Sequence, residues 1–252
     1  GSSNHVLGNT QLELSGIEHS RRRNLYGRHL VGAALTKRIG AICKLANEMI
    51  DEWFNPASGM TEYDPVTGKY TMELGKEFAN EFPIRVVCQV LGFPDEARDK
   101  FYYWYKYMMG GIGGRDYEQK GLMARQDLED FVESIVEERR LKPNFLLDDE
   151  GNEVAPDIIS ELCKTVVDDD VLSTEEITSN IALIVGGGGE TTRGAILNMW
   201  YLLLQHPDQM EAVLNNDPLW DAAFHETLRH SSSIGGQPRQ NTFDVELQGV
   251  KV

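Results

Sequence analysis

The sequence predicts a mainly α protein with one long central helix and a small β hairpin at its C-terminal end. Three observations carry this. Ser173 to Gln205 keeps apolar and small residues (Ile177, Ile181, Ile184, Gly188, Thr191, Ala195, Met199, Leu202) at three- and four-residue spacing over its whole length. Other stretches of the same period are separated by Gly and Pro rather than by alternating runs. Only the tail, QPRQNTFDVELQGVKV, alternates, with Phe243, Val245 and Leu247 on one side and a Gln248-Gly249 turn.

Taken in order, LELSGIEHSRRRNLYGRHLVGAALTKRIGAICKLANEM opens with a short extended piece and continues as helical segments. His19 and Arg23 lie four apart and share a helix face, which is either a solvated basic face with Arg21, Arg22 and Arg28 or a clamp for an anion. Asp64 to Lys69, DPVTGK, is a turn. Phe78, Phe82, Val86, Val90 and Leu91 give helical spacing that Gly92 and Pro94 end.

Phe101 to Met109 concentrates aromatics and methionines ahead of a glycine-rich break, either as core or as an adaptable wall for a large apolar ligand. Asp116 to Arg140 is a charged amphipathic helix with Leu122, Leu128, Val132 and Ile135 inward, and KPNFLLDDEGNEVAPD is a surface loop. A helix from Asp157 to Val167 leads into the central one, which Ser173 and Glu176 start as a capping box. Pro207 and Pro218 open two further helices; on the second, Glu226 and Arg229 are three apart and can pair.

Four consecutive glycines, Gly186 to Gly189, in a helix cost very roughly 4 kcal/mol relative to alanines. Glycine leaves backbone accessible, so a flat or bulky group can lie against the helix, and Glu190-Thr191-Thr192 follows at once. An acid beside a hydroxyl on such a face can relay protons into a buried pocket. The alternative is a glycine loop between two shorter helices capped by the threonines. A phosphate loop fails, because it needs a lysine where this chain has Glu190 and Thr191.

Length and composition suit a compact body, with 252 residues of which 41% are hydrophobic. A formal charge of -16 argues against nucleic acid or an anionic membrane as a general partner. No apolar run approaches the roughly 18 residues that span a bilayer, and GSSNHVLGNT has no signal pattern, so a cytoplasmic location is expected. Cys43, Cys88 and Cys163 are widely separated and odd in number, which indicates neither a disulfide framework nor a thiolate metal site.

The order and spacing of these motifs resemble the cytochrome P-450 family of haem-thiolate monooxygenases. GGETT (Gly188, Gly189, Glu190, Thr191, Thr192) resembles the oxygen-activating part of the family's long I helix, and Glu226-x-x-Arg229 its K-helix pair. His19-Ser-Arg-Arg-Arg23 resembles the C-helix pattern that holds haem propionates. FPIRVVCQVLGFP resembles the E helix, and Pro238-Arg239 with DVELQGVKV the strand after K.

The resemblance implies a single cytochrome P-450-like domain over residues 1–252, binding haem b (iron). It places Glu190 and Thr191 in proton delivery during oxygen activation, His19, Arg23 and Arg239 on the propionates, and Gly187 and Gly188 against the haem. Glu226 and Arg229 become a structural pair, and Trp104, Met108 and Val185 line the substrate pocket. The implied activity oxidises a bulky hydrophobic small molecule with O2 and two electrons from NAD(P)H, supplied by a ferredoxin or flavodoxin-type redox partner.

The alternatives are a haem-free helper or scaffold subunit of the same family and an unrelated helical binding protein. None of the three cysteines stands in the family's Phe-x-x-Gly ligand context, so the metal ligand is expected after Val252 and the family's opening segments before Gly1. The chain alone is therefore expected not to be competent.

Overall fold

A computed structural model describes residues 4–8, 10–113, 117–148, 150–167, 170–236 and 243–251. The fold is mainly α, with four isolated two-stranded antiparallel hairpins among the described residues. Two compact units divide it, Gly1–Arg193 and Gly194–Val252.

The first unit holds a short α1 (Asn4–Leu7), α2 (Gly16–Gly27), α3 (Gly32–Phe54) and the hairpin β1 (Glu62–Asp64) with β2 (Lys69–Thr71). The expected turn between these strands is built by Asp64, whose carboxylate accepts from the Val66 amide at 2.8 Å and from the Thr67 hydroxyl at 2.6 Å. One wide helical turn, Gly75–Ala79, leads into α4 (Glu81–Leu91).

Gly92 ends α4 at φ 79°, as the sequence requires, and its left-handed backbone turns the chain over Asp157. There Asp157 caps α7 (Ile158–Lys164), its Oδ1 accepting from the Ser160 amide at 2.7 Å. This helix is shorter than the expected Asp157–Val167: Thr165, Val166 and Val167 are β-branched, and Val166–Val167 forms β5 against β6 (Asp170–Val171). The expected surface loop after residue 141 likewise contains the hairpin β3 (Leu146–Leu147) with β4 (Glu153–Val154).

Between them, α5 (Ala97–Gly113) and α6 (Glu118–Leu141) form the most extensive helix pair of the unit. Ala97, Phe101, Trp104 and Met108, spaced four, three and four apart, are fully buried on α5. Gly111 and Gly121 let the two backbones approach, since a Cβ on Gly121 would stand 2.9 Å from the Tyr107 carbonyl oxygen and 3.1 Å from the Gly111 Cα. Backbone cannot swing aside as a side chain can. Gly121→Ala is therefore expected to cost about 1–3 kcal/mol, read as a lower midpoint in chemical denaturation.

On α6 the inward face is Gly121, Ala124, Arg125, Leu128, Val132, Ile135 and Val136. Leu122, expected to point inward, is instead 43% exposed, because it sits one position past the Gly121–Arg125–Leu128 row. Arg125 is buried yet satisfied: its guanidinium donates to Glu129 at 2.7 Å, to the Leu7 carbonyl at 2.6 Å and to Ser179 Oγ at 3.4 Å.

The central segment starts as expected. In α8 (Thr174–Gly188) the Ser173 hydroxyl accepts from the Glu176 amide and Glu176 accepts from the Ser173 amide, both at 3.1 Å. Its residues from Ile177 to Ala182 are all buried, and the polar ones find local partners: Thr178 and Asn180 donate to the carbonyls of Thr174 and Glu176.

The expected continuous helix to Gln205 is interrupted once. Gly189 keeps right-handed angles (φ -84°, ψ -73°) but leaves the ladder, and α9 (Glu190–Gln205) restarts with the Arg193 amide donating to the Gly189 carbonyl at 3.0 Å. Four glycines in a row weaken the helix enough to take such a bend.

Residues of the second unit follow the sequence closely. Pro207 opens α10 (Pro207–Leu214), and α11 (Leu219–His230) begins after Pro218. The Trp200 and Trp220 rings lie 6.0 Å apart, and the Asn198 amide donates to the Ser231 carbonyl at 2.7 Å. The terminal hairpin pairs β7 (Glu246–Leu247) with β8 (Val250–Lys251) through the expected Gln248-Gly249 turn, both residues at positive φ. Among the described residues, no helix is long and apolar enough to cross a membrane.

Candidate functional site

The four glycines do different work. A Cβ on Gly186 would come within 3.0 Å of the Met109 sulfur, and one on Gly188 within 2.6 Å of Val87 Cγ2. Both therefore seat neighbouring helices. Gly187 is exposed, and a Cβ there would meet nothing within 4 Å. Of the two glycines expected to face a cofactor, Gly187 presents open backbone, whereas the space in front of Gly188 is filled by α4.

Thr191 shares that open face, four residues on, and its hydroxyl donates to the Gly187 carbonyl at 2.8 Å. The bond holds the hydroxyl beside bare backbone and leaves its oxygen lone pairs to accept. Glu190 points elsewhere. Its Oε2 accepts from the Tyr105 hydroxyl at 2.9 Å, and its Oε1 accepts from Arg193 Nη1 at 2.9 Å. Arg193 Nε in turn donates to Asn80 Oδ1 at the start of α4.

These residues bound a cavity of about 620 Å³ lined by Tyr102, Tyr105 and Met109 of α5, Ile84 of α4, and Glu190 and Arg193. Burial, and then the hydrogen bond to the Glu190 carboxylate, hold the Tyr105 phenol well above its ordinary range, so it stays a donor at neutral pH.

The expectation that Trp104, Met108 and Val185 line an accessible wall does not hold. All three are fully buried core residues, with the Trp104 indole N–H donating to Asp127 at 2.6 Å and its ring set between Phe93 and Phe131. The aromatic segment divides between adjacent faces of α5: the Phe101–Trp104–Met108 row is core and the Tyr102–Tyr105–Met109 row, one residue later, faces the cavity.

His19 and Arg23 lie on α2, which packs on the turn Gln11–Glu13 and on α7. His19 is half-buried and Arg23 exposed. The structure brings neither together with Gly187 and Thr191 through a hydrogen bond or ion pair; from this helix, Arg22 Nη2 reaches Glu176 at the start of α8, at 3.9 Å. Arg239 lies outside the described residues. Glu226 and Arg229 pair through two bonds of 2.7 Å on the exposed side of α11, and the Arg229 guanidinium holds the Glu226 carboxyl below its usual range.

Sequence reading missed Tyr105 and Arg193. Arg193 follows Glu190 at helical pairing distance and could have been found; Tyr105 is 85 residues from its partner.

No cluster of His, Cys, Asp or Glu able to hold a metal occurs among the described residues. Cys43 is exposed, whereas burial pushes the Cys88 thiol up to about 11 and raises that of half-buried Cys163. A thiol-specific reagent at pH 8 is accordingly expected to modify Cys43 within minutes and Cys88 only on unfolding; equal rates would contradict the burial.

The chain is 28% identical over 236 residues to the vitamin D(3) 25-hydroxylase of Pseudonocardia autotrophica, covering 93% of this chain and 52% of that protein. It is 32% identical over 171 residues to a cytochrome P-450 of Bacillus subtilis strain 168, covering 68% and 39%. The chain thus spans about half the length of the curated relatives it matches.

Among solved structures, CYP109E1 of Bacillus megaterium in complex with testosterone superimposes with a TM-score of 0.77 at 23% identity, covering 97% of this chain and 60% of the other. The P-450 BioI complex with hexadec-9Z-enoic acid ligated acyl carrier protein gives 0.80 at 22%, covering 100% and 61%. The sequence profile of the cytochrome P-450 family matches residues 89–252, a stretch that includes the end of α4 from Gln89, the Tyr102–Tyr105–Met109 row, the glycine run and the Glu226–Arg229 pair. With more than half of its length matched and its helical frame shared with solved members, the chain belongs to the cytochrome P-450 family.

Proposed function

We propose that the full-length protein is a haem-dependent monooxygenase that oxidises a bulky hydrophobic small molecule with O2 and two electrons, and that residues 1–252 supply part of one domain of it. The observation that carries this reading is the pairing of bare backbone at Gly187 with the Thr191 hydroxyl on one face, while the preceding residue, Glu190, turns its carboxylate to the neighbouring cavity.

Haem fits that face: Gly187 carries no side chain and nothing fills the space in front of it, so a flat macrocycle can approach the backbone. When bound, haem supplies the redox chemistry of oxygen activation. Its propionates are assigned to His19, Arg23 and Arg239, each charge-assisted bond contributing on the order of 1.5–3 kcal/mol. A thiolate for the haem would come from outside residues 1–252, because burial keeps the Cys88 and Cys163 thiols protonated and Cys43 lies exposed on α3.

This chain's residues hold and move the protons. Thr191 Oγ1 accepts from incoming water while donating to the Gly187 carbonyl, and the Glu190 carboxylate, with about two lone-pair sites left after its two bonds, takes up a proton from the cavity and passes it on. Apolar residues of the Tyr102–Tyr105–Met109 row and Ile84 offer a surface for a hydrophobic substrate.

Relatives and solved members that act on vitamin D(3), methyl-branched lipids or steroids, or that bind testosterone, support that substrate class. NAD(P)H supplies the electrons through a ferredoxin or flavodoxin-type partner. In the haem-loaded protein with such a partner, NAD(P)H oxidation is expected to consume O2, and Glu190→Gln to slow it by about tenfold or more. Reduction of the haem without O2 consumption in the wild type would contradict the assignment.

A further inference from the structure

A carboxylate that relays protons must be held in one orientation and still keep acceptor sites free. Glu190 is held at both oxygens, and its holders come from different helices: Tyr105 from the middle of α5, and Arg193 one turn along α9, itself fixed by Asn80 at the start of α4. An exposed i,i+3 ion pair on its own contributes little. This one is different, because a half-buried tyrosine hydroxyl and the Asn80 amide oxygen extend it into a bridge across the cavity from α5 to α4.

We propose that Tyr105 and Arg193 are positioning residues which fix the Glu190 carboxylate at the cavity and so set its competence in proton delivery. The proposal rests on the reading of Glu190 as a proton carrier. Geometry supports it in three ways. The two bonds take one lone pair on each oxygen and leave one on each. The Tyr105 side chain also forms cavity wall next to Tyr102 and Met109, so anything packed there bears on the group that orients Glu190.

Third, the residue at Gly189 is where the helix ladder is interrupted, and a Cβ there would meet Phe101 and Tyr105 at 3.8 Å. The bend thus brings Glu190 against α5 rather than along a straight helix. The charged and titratable groups facing the Tyr105 hydroxyl are Glu190, Arg193 and Tyr102, with Glu81, Arg98 and Lys106 on the same cavity.

Two measurements on the full-length, haem-loaded protein test this. The first follows the carboxylate stretch of Glu190 by infrared difference spectroscopy at neutral pH, with the band identified by subtracting Glu190→Gln. Removing the hydroxyl in Tyr105→Phe is expected to shift that band, because one of the two bonds to the carboxylate is lost. The second follows NAD(P)H-driven O2 consumption at saturating reductant. Tyr105→Phe is expected to lose about three- to tenfold, and Arg193→Lys to retain more of the rate than Arg193→Met.

A Glu190 band indifferent to Tyr105→Phe overturns the proposal, and so does a full rate in Tyr105→Phe when Glu190→Gln is slow. If Glu190→Gln itself runs at the wild-type rate, the proton-carrier reading falls, whatever Tyr105 does. Should Tyr105→Phe fail to fold, the same Glu190 band compared between Arg193→Lys and Arg193→Met, which keep and remove the cation at its other oxygen, decides the positioning.

Discussion

Thr191→Ala in the full-length protein is expected to leave haem content and folding unchanged while diverting most reducing equivalents to hydrogen peroxide. Losing the hydroxyl removes one bond, to the Gly187 carbonyl at 2.8 Å, and a backbone carbonyl already within a helix tolerates that loss. The chemical loss is larger, since the hydroxyl oxygen that accepts from and so positions the proton-carrying water is gone, and positioned proton transfer contributes about 10²- to 10⁴-fold. Peroxide released per NAD(P)H consumed should therefore rise at least several-fold. Thr192 is exposed and forms no part of the Gly187–Thr191 face, so Thr192→Ala should change the ratio much less. The reverse ranking would move the assignment by one residue.

Gly187→Leu is expected to abolish haem binding without harming the fold. Nothing lies within 4 Å of a Cβ at Gly187, and replacing a helical glycine recovers up to about 1 kcal/mol of helix propensity. The apoprotein should be as stable as wild type or slightly more so. A leucine side chain there would occupy the face against which haem lies. Gly188→Ala gives the opposite pattern: its Cβ would stand 2.6 Å from Val87 Cγ2, a stiff β-branched side chain, so overpacking should cost about 1–3 kcal/mol and lower the unfolding midpoint. Circular dichroism and a haem titration on the two variants separate the effects. Haem affinity unchanged in Gly187→Leu would remove Gly187 from the site.

The parts legible in the sequence are those set by local chemistry. The Ser173–Glu176 capping box, the Gly92 helix end, the proline-led starts of α10 and α11, and the Gln248-Gly249 hairpin are each decided within a few residues, and each is found as expected. Misjudged features depend on residues far along the chain. The density of aromatics left core and ligand wall as alternatives for the segment and could not say which residues met α6 and which the cavity. That choice is made by Trp104 finding Asp127, 23 residues on, and by Phe93 and Phe131 closing around its ring.

Leu122 was displaced outward for a related reason. The Gly111–Gly121 approach fixes the rotation of α6, and the inward row then runs through Gly121, Arg125 and Leu128. A break in the glycine run was one of the two sequence readings, but its place at Gly189 was hidden because four identical residues carry no signal about which one leaves the ladder. Glu190 and Thr191 were legible as a pair, whereas the groups that hold Glu190 were not, since Tyr105 and Asn80 are brought to it only by folding.

The central claim, that this chain forms the oxygen-activating side of a haem-thiolate site, is tested most directly by the absorption spectrum of the haem-loaded, full-length protein reduced under carbon monoxide. Thiolate ligation pushes electron density onto the iron, and the account predicts the red-shifted Soret band of a thiolate-ligated haem, retained in Thr191→Ala and absent in Gly187→Leu. A wild-type spectrum without that band, or a Gly187→Leu spectrum that keeps it at full intensity, would contradict the account.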